Sequence, residues 1–239
     1  MVKEAQTSIL DWEEETGKKL DLFNDEFEKA AVNCGRDRAK IEVLFATKYI
    51  SGEKLAVFIS LINKKKKTAA IIGENRVQEA FMKFGYLSSL GAGFDGKYTP
   101  VMIGTLQKNK INKALSIFDE IHSLDNLATA EAVNYRAVKV VPIYLQVNVS
   151  GEKTKQGIIP DQAGEVIEKI RKMDNLNLKG LMTMAPYSDN PEDVRPHFGR
   201  LKQLAQKYDL LTSMGMSNDW KEAISEGSDM IRIGSAIFK

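Results

Sequence analysis

Ile41-Glu42-Val43-Leu44-Phe45-Ala46-Thr47-Lys48 is a short apolar and β-branched run that stops at a lysine. It reads as a buried strand over 41–47 with a charge where the strand meets solvent. Outward from it the same alternation recurs. Further apolar runs lie at 69–72, 101–104, 120–124, 141–149, 178–184, 210–214 and 229–233. Segments with helical periodicity and charge fill the gaps at 52–63, 75–84, 107–118, 126–136, 161–173, 191–207 and 218–226. Strand and helix in alternation favour parallel pairing, because each crossover returns the chain to the same edge of the sheet. Eight such units predict an α/β fold of the (β/α)8 barrel type, with an open doubly wound sheet as the competing arrangement, since strand order is not written in one sequence. An apolar and acidic stretch at 20–33 reads as an extra helix that plugs or flanks the barrel, and 88–99, with three glycines, reads as a surface loop.

The bulk numbers fit this reading. At 239 residues, 43% hydrophobic and 28% charged, the chain matches ordinary globular composition. It is expected to form one domain over 1–239, with 1–40 as a helical extension and 41–239 as the barrel. A balance of 34 basic against 32 acidic residues, net +2, gives no general attraction to nucleic acid or anionic lipid. The run Lys64 to Lys67 reads as the basic end of a helix. A single cysteine, Cys34, rules out an internal disulfide framework and suits a reducing compartment. The N-terminal residues are too charged for a signal peptide, and no later stretch is apolar enough to span a bilayer. The cytoplasm is therefore the expected location.

In barrels of this type the working face is the ring of loops after the strands, with phosphate often held after strands seven and eight. Ser213-Met214-Gly215-Met216-Ser217-Asn218-Asp219 follows strand seven, with Ser217 placed to cap the next helix. Arg232-Ile233-Gly234-Ser235-Ala236 ends strand eight and would bare backbone N–H groups to an anion. Lys48 is either a solvated strand end or a partly desolvated amine competent to form a Schiff base. Arg232, a lone charge between Ile231 and Ile233, needs a partner inside a barrel. A cofactor ring nitrogen or a carboxylate would supply one.

Seven spaced motifs resemble the pyridoxal phosphate homeostasis proteins, relatives of the N-terminal barrel of alanine racemase. They are Ala46-Thr47-Lys48; Gly73-Glu74-Asn75-Arg76-Val77-Gln78-Glu79; Ile103-Gly104-Thr105-Leu106-Gln107-Lys108-Asn109-Lys110; Gln146-Val147-Asn148-Val149-Ser150, with Lys155 and Gly157 following; Gly180-Leu181-Met182; Ser213-Met214-Gly215-Met216-Ser217; and Ile231-Arg232-Ile233-Gly234-Ser235-Ala236-Ile237-Phe238. The resemblance implies a monomeric barrel of the fold-type III class in which Lys48 carries pyridoxal 5'-phosphate as a Schiff base. It further implies that Arg232 faces the pyridine nitrogen, that Ser217, Gly234 and Ser235 contact the phosphate, and that Asn75 lies near the cofactor. Departures are few. Tyr98-Thr99-Pro100-Val101-Met102 stands where relatives commonly have a histidine before Ile-Gly, and Ile71-Ile72 stands where an acidic or aromatic residue usually precedes Gly-Glu-Asn.

An arginine beside the ring nitrogen disfavours ring protonation and weakens the ring as an electron sink. With no second domain after Lys239 in the sequence, the resemblance implies a carrier without established turnover. Such a carrier would hold the cofactor, exchange it with amines or amino acids, and deliver it to apo-enzymes. An amino-acid racemase is the nearest competing reading and needs a second acid or base, from Tyr49, Tyr144, Tyr187, His122 or His197. Of these, His122 reads as a hydrogen-bonded core residue and His197 as solvent-exposed. The residues also leave open a Schiff-base phosphate-sugar enzyme and a plain interaction module.

Overall fold

Eight parallel strands close on themselves in the computed structural model, which describes residues 2–66, 69–152 and 155–239. They are β1 (Glu42–Ala46), β2 (Ala70–Glu74), β3 (Tyr98–Met102), β4 (Glu120–Leu124), β5 (Val141–Gln146), β6 (Leu176–Met182), β7 (Leu211–Ser213) and β8 (Met230–Ile233). The order is sequential, and closure is made by β1 pairing with both β2 and β8. Leu44 stands opposite Ile71 on one side and Arg232 on the other. The closed barrel removes the open doubly wound sheet, and closure leaves no strand edge unpaired.

The helices are α1 (Val2–Asn33), α2 (Gly52–Lys66), α3 (Val77–Ser89), α4 (Ile111–Leu115), α5 (Leu127–Arg136), α6 (Pro160–Ile170), α7 (Arg195–Lys207), α8 (Trp220–Ser225) and α9 (Ser235–Phe238). The main core fills the layer between strands and helices, with Phe45, Ile72, Phe58, Ile59 and Phe198 among its members. A much smaller apolar cluster, Leu44, Val101 and Met230 with Ile71 and Ile103 against it, occupies the barrel interior. Alternation along the strands therefore sends Phe45 and Thr47 outward and Leu44, Ala46 and Lys48 inward.

Several boundaries differ from those the sequence predicts. The added helix begins at Val2 instead of residue 20. Its inward stripe is Trp12, Thr16, Leu20, Phe23, Phe27 and Ala31, a three-to-four spacing whose first members are too sparse among charges to stand out. The helix flanks the barrel and does not plug it. Phe23 and Phe27 pack edge-on to Trp220 of α8, with ring centroids 5.4 and 6.1 Å apart. The expected loop 88–99 shrinks, because α3 runs to Ser89, a 3-10 turn forms at Ala92–Phe94 and β3 starts at Tyr98. Pro100 lies inside that strand, where parallel pairing of Tyr98, Thr99 and Pro100 with Ala70, Ile71 and Ile72 carries the ladder through it. The segment 107–118 holds only a 3-10 turn and the five residues of α4. The basic run is described only in part: Lys64 and Lys65 lie in α2 and are exposed, while Lys67 falls outside the described residues.

Candidate functional site

All six residues singled out in the sequence line one cleft at the C-terminal mouth of the barrel. The cleft is about 300 Å³ and includes Lys48, Asn75, Ser217, Arg232, Gly234 and Ser235. Its location follows from closure: β1 lies between β2 and β8, so the residues just after these three strands become neighbours.

Arg232 forms part of the floor. It is buried, and its Nη1 donates to the Ser213 carbonyl at 2.8 Å and to Ser213 Oγ at 2.9 Å, while Nη2 donates to the Thr183 carbonyl at 2.7 Å. Burial pushes the guanidinium down to about 10, opposed by the charge of Asp219, so it stays cationic at neutral pH. The partner that the sequence suggests for it is a ring nitrogen or a carboxylate. Two carbonyls and a hydroxyl hold it instead, and Asp219, also in the cleft lining, acts through space.

Lys48 contrasts with this. Its side chain is exposed, with Nζ 5.1 Å from the centroid of the Tyr49 ring. Of the two readings the sequence leaves for it, a solvated strand end and a partly desolvated amine, this structure shows the first, because β1 ends at Ala46 and the lysine stands above the rim.

The loops after β7 and β8 are joined by Ser217, though not as expected. Asp219 occupies the N-cap position of α8, and Ser217 caps no helix there. Its Oγ instead accepts from the backbone N–H groups of Gly234 and Ala236, each at 3.2 Å. The turn between β7 and α8 bends at Gly215, φ +93°, where an added Cβ would fall 2.5 Å from Ala223 Cβ, so only glycine fits. Asp219 receives the Met216 N–H, and burial raises its carboxyl above the ordinary range, offset in part by that hydrogen bond and by Arg232. On the β2 side, Gly104 lets the following loop lie against Asn75. A Cβ there would come within 2.1 Å of the Asn75 carbonyl oxygen.

The opposite wall, after β6, is apolar: Met182, Met184, Ala185, Pro186 and Tyr187. Tyr49 and Tyr187 line the cleft, whereas Tyr144, His122 and His197 do not. Tyr187 is 79% exposed and donates to Asp189 Oδ1 at 2.9 Å. Below the cleft His122 is fully buried, 4.2 Å from the Tyr144 ring, with Nε2 2.8 Å from Glu120 Oε2 and Nδ1 without a partner among the described residues. Burial lowers its affinity for a proton, against the pull of Glu120. Burial, and then the charges of Glu42, Glu120 and Asp229, hold the Tyr144 phenol above its ordinary range. His197, predicted to be exposed, is half-buried on α7 with Nδ1 enclosed, because the adjacent Phe198 anchors that helix face in the core.

A further set of polar residues lies just behind β1 and β2, and nothing in the sequence assigns it a role. Glu74 is fully buried and its Oε1 accepts from Thr47 Oγ1 at 2.7 Å and from Lys83 Nζ at 2.8 Å. Only the Gly-Glu-Asn run hints at it.

Comparison with known proteins fits this geometry. Residues 59–239 match the family described as alanine racemase, N-terminal domain. A pyridoxal phosphate homeostasis protein of Aquifex aeolicus is 35% identical over 231 residues, which covers 92% of this chain and 96% of that one. Among solved structures, a protein described as unknown from Bifidobacterium adolescentis superimposes with a TM-score of 0.83 at 30% identity, covering 95% of this chain and 96% of that one. PipY of Synechococcus elongatus, solved with PLP bound, gives 0.77 at 25% identity, covering 94% and 100%.

Proposed function

The chain belongs to the pyridoxal phosphate homeostasis protein family, and from that membership we propose that it binds pyridoxal 5'-phosphate at the barrel mouth, holds it reversibly on Lys48 and buffers or delivers it. The observation that carries this reading is the convergence in one cleft of an exposed amine, a buried guanidinium and two backbone N–H groups directed at one oxygen.

The residues suit the group. The Ser217 hydroxyl is an oxygen already held by two converging N–H donors, those of Gly234 and Ala236. A phosphate oxygen asks for the same contacts, with Ser217 turning its own O–H toward it. The backbone at Gly234 runs close to β1, where an added Cβ would sit a tight 3.2 Å from both Ala46 Cβ and the Ala46 carbonyl oxygen. Ser235 completes the cup, and Asn75 borders the cleft beside Lys48.

When bound, pyridoxal phosphate supplies an aldehyde that condenses reversibly with primary amines. Lys48 offers such an amine from the rim, where incoming amines or amino acids can reach it and displace it. Arg232 would stand as a fixed cation toward the ring nitrogen and keep a proton off it, which would disfavour carbanion chemistry and leave binding and exchange as the function. The apolar β6 wall gives the ring a surface to lie on.

In this reading the chain maintains intracellular vitamin B6 and amino-acid balance as a cytoplasmic monomer, with apo-enzymes as recipients. The single exposed cysteine, Cys34, supports a reducing compartment. No helix among the described residues is long and apolar enough to cross a membrane. The test is titration of the purified protein with pyridoxal phosphate and with pyridoxal, followed by visible absorbance. Uptake of the phosphorylated form with far weaker uptake of pyridoxal is expected. Equal uptake would remove the phosphate cup from the account, and no uptake of either would remove the cofactor.

A further inference from the structure

Thr47 precedes Lys48 and points the opposite way, into the layer between the strands and α3. There Glu74 is fully buried and Lys83, on α3, keeps 11% of its side chain exposed. Lys83 Nζ donates to Glu74 Oε1 at 2.8 Å and also to the backbone carbonyl of Thr47 at 3.0 Å. Glu74 Oε1 accepts in addition from Thr47 Oγ1 at 2.7 Å, while Oε2 is enclosed without a partner among the described residues. One carboxylate oxygen and one ammonium thus grip both the side chain and the carbonyl of Thr47. That carbonyl belongs to the peptide that joins Thr47 to Lys48.

A buried ion pair is weak evidence for stability, because desolvation offsets much of its attraction. Its geometry is a better guide to its use. Residue 48 lies beyond the last ladder position of β1, since the β1–β2 register ends at Ala46 opposite Gly73, and the Thr47 N–H bond to the Gly73 carbonyl at 3.0 Å extends it by one residue. The Thr47 carbonyl accepts the Ile50 N–H at 3.1 Å, and the Lys83 ammonium adds a second, charged contact to the same oxygen from outside the turn. We propose that the Lys83–Glu74 pair is a positioning device: it fixes the Thr47–Lys48 peptide so that the Lys48 amine points into the cleft, and so sets how long the cofactor is retained. Neither residue lines the cleft, so the effect runs through the backbone of Lys48. This inference rests on the proposed role of Lys48 as covalent anchor.

The test compares the full-length wild type with Lys83→Met, Lys83→Arg and Glu74→Gln. Three quantities are read: the rate of pyridoxal phosphate loss on buffer exchange, the affinity for pyridoxine 5'-phosphate, which has the ring and phosphate but no aldehyde, and the acylation of Lys48 by acetic anhydride relative to the remaining lysines in cofactor-free protein. Lys83→Met and Glu74→Gln are expected to speed cofactor loss on the order of tenfold and to change Lys48 acylation several-fold, with pyridoxine phosphate affinity within about twofold of wild type. Lys83→Arg, which keeps the charge, restores part of the retention. Unchanged cofactor loss and unchanged Lys48 acylation in folded variants would overturn the proposal, as would pyridoxine phosphate affinity that falls in step with retention, since a merely structural role loosens everything together. Glu74→Gln is nearly isosteric and carries the test if Lys83→Met does not fold. A wild type that takes up no pyridoxal phosphate is the failure of the underlying reading, and the acylation measurement then decides the positioning role alone.

Discussion

Arg232 and Lys48 face the same cleft but are built in opposite ways. The arginine is buried with three hydrogen bonds to two neighbouring strand ends. The lysine is exposed, with the Tyr49 ring near its amine. In the proposed function, the group meant to stay charged and in place is held by the scaffold, whereas the one meant to bond and let go is left exposed at the rim. In Lys48 it is the backbone that is held, through Thr47, and the side chain that is free.

The comparison breaks first at its rigid half. Arg232→Gln removes the guanidinium donors from the Thr183 carbonyl and from Ser213, whose carbonyl keeps only the Thr183 N–H, and leaves Asp219 buried without its cation. A loss of about 3 kcal/mol is expected in urea unfolding. A loss below about 1 kcal/mol would mean that the arginine is not part of a fixed floor. Gly104→Ala should cost ~1–3 kcal/mol and weaken cofactor binding, because the new methyl meets the Asn75 backbone. Binding and stability both equal to wild type would show that the loop after β3 yields freely. Ser217→Ala, read by pyridoxal phosphate titration, should weaken affinity by roughly three- to tenfold through the lost hydroxyl donor, and cost about 1 kcal/mol of stability because the Gly234 and Ala236 N–H groups lose their acceptor. An unchanged affinity would take Ser217 out of the cup.

The smallest effect is that of pH on the barrel interior. His122 resists protonation in the folded state because it is buried, while in the unfolded chain it accepts a proton near the usual value of about 6.5. The unfolded state then binds more protons, so stability falls as pH drops below about 6.5, by at most ~1.4 kcal/mol per unit. Urea midpoints between about pH 7.5 and 5.5 should slope less in His122→Phe than in wild type. Parallel slopes would place the proton elsewhere.

Much of this is legible in the sequence. Strands buried on both faces of a parallel barrel read as continuous apolar runs, which is why β4 is found to the residue and all eight strands can be counted. Positions that depend on tertiary context are not. The front of α1 hides its stripe among charges, and Pro100 masks the start of β3. Ser217 sits where capping serines sit, yet its oxygen is taken by the next loop but one, after the following strand. The pairing of Glu74 with Lys83 needs a helix to fold back on its strand, and Lys83 alone looks like any surface lysine. Lys48, Ser217, Arg232, Gly234 and Ser235 are legible because they stand at or past the ends of strands, where the barrel's topology gathers them, whereas Asn75 is legible only through the Gly-Glu-Asn motif.

The most direct test of the account is borohydride reduction of the protein loaded with pyridoxal phosphate, followed by peptide mass mapping in wild type and Lys48→Ala. The account predicts a single modified peptide carrying the cofactor on Lys48, and no modification at the cleft in the variant. Modification confined to another lysine, or equal labelling of the variant, would contradict it.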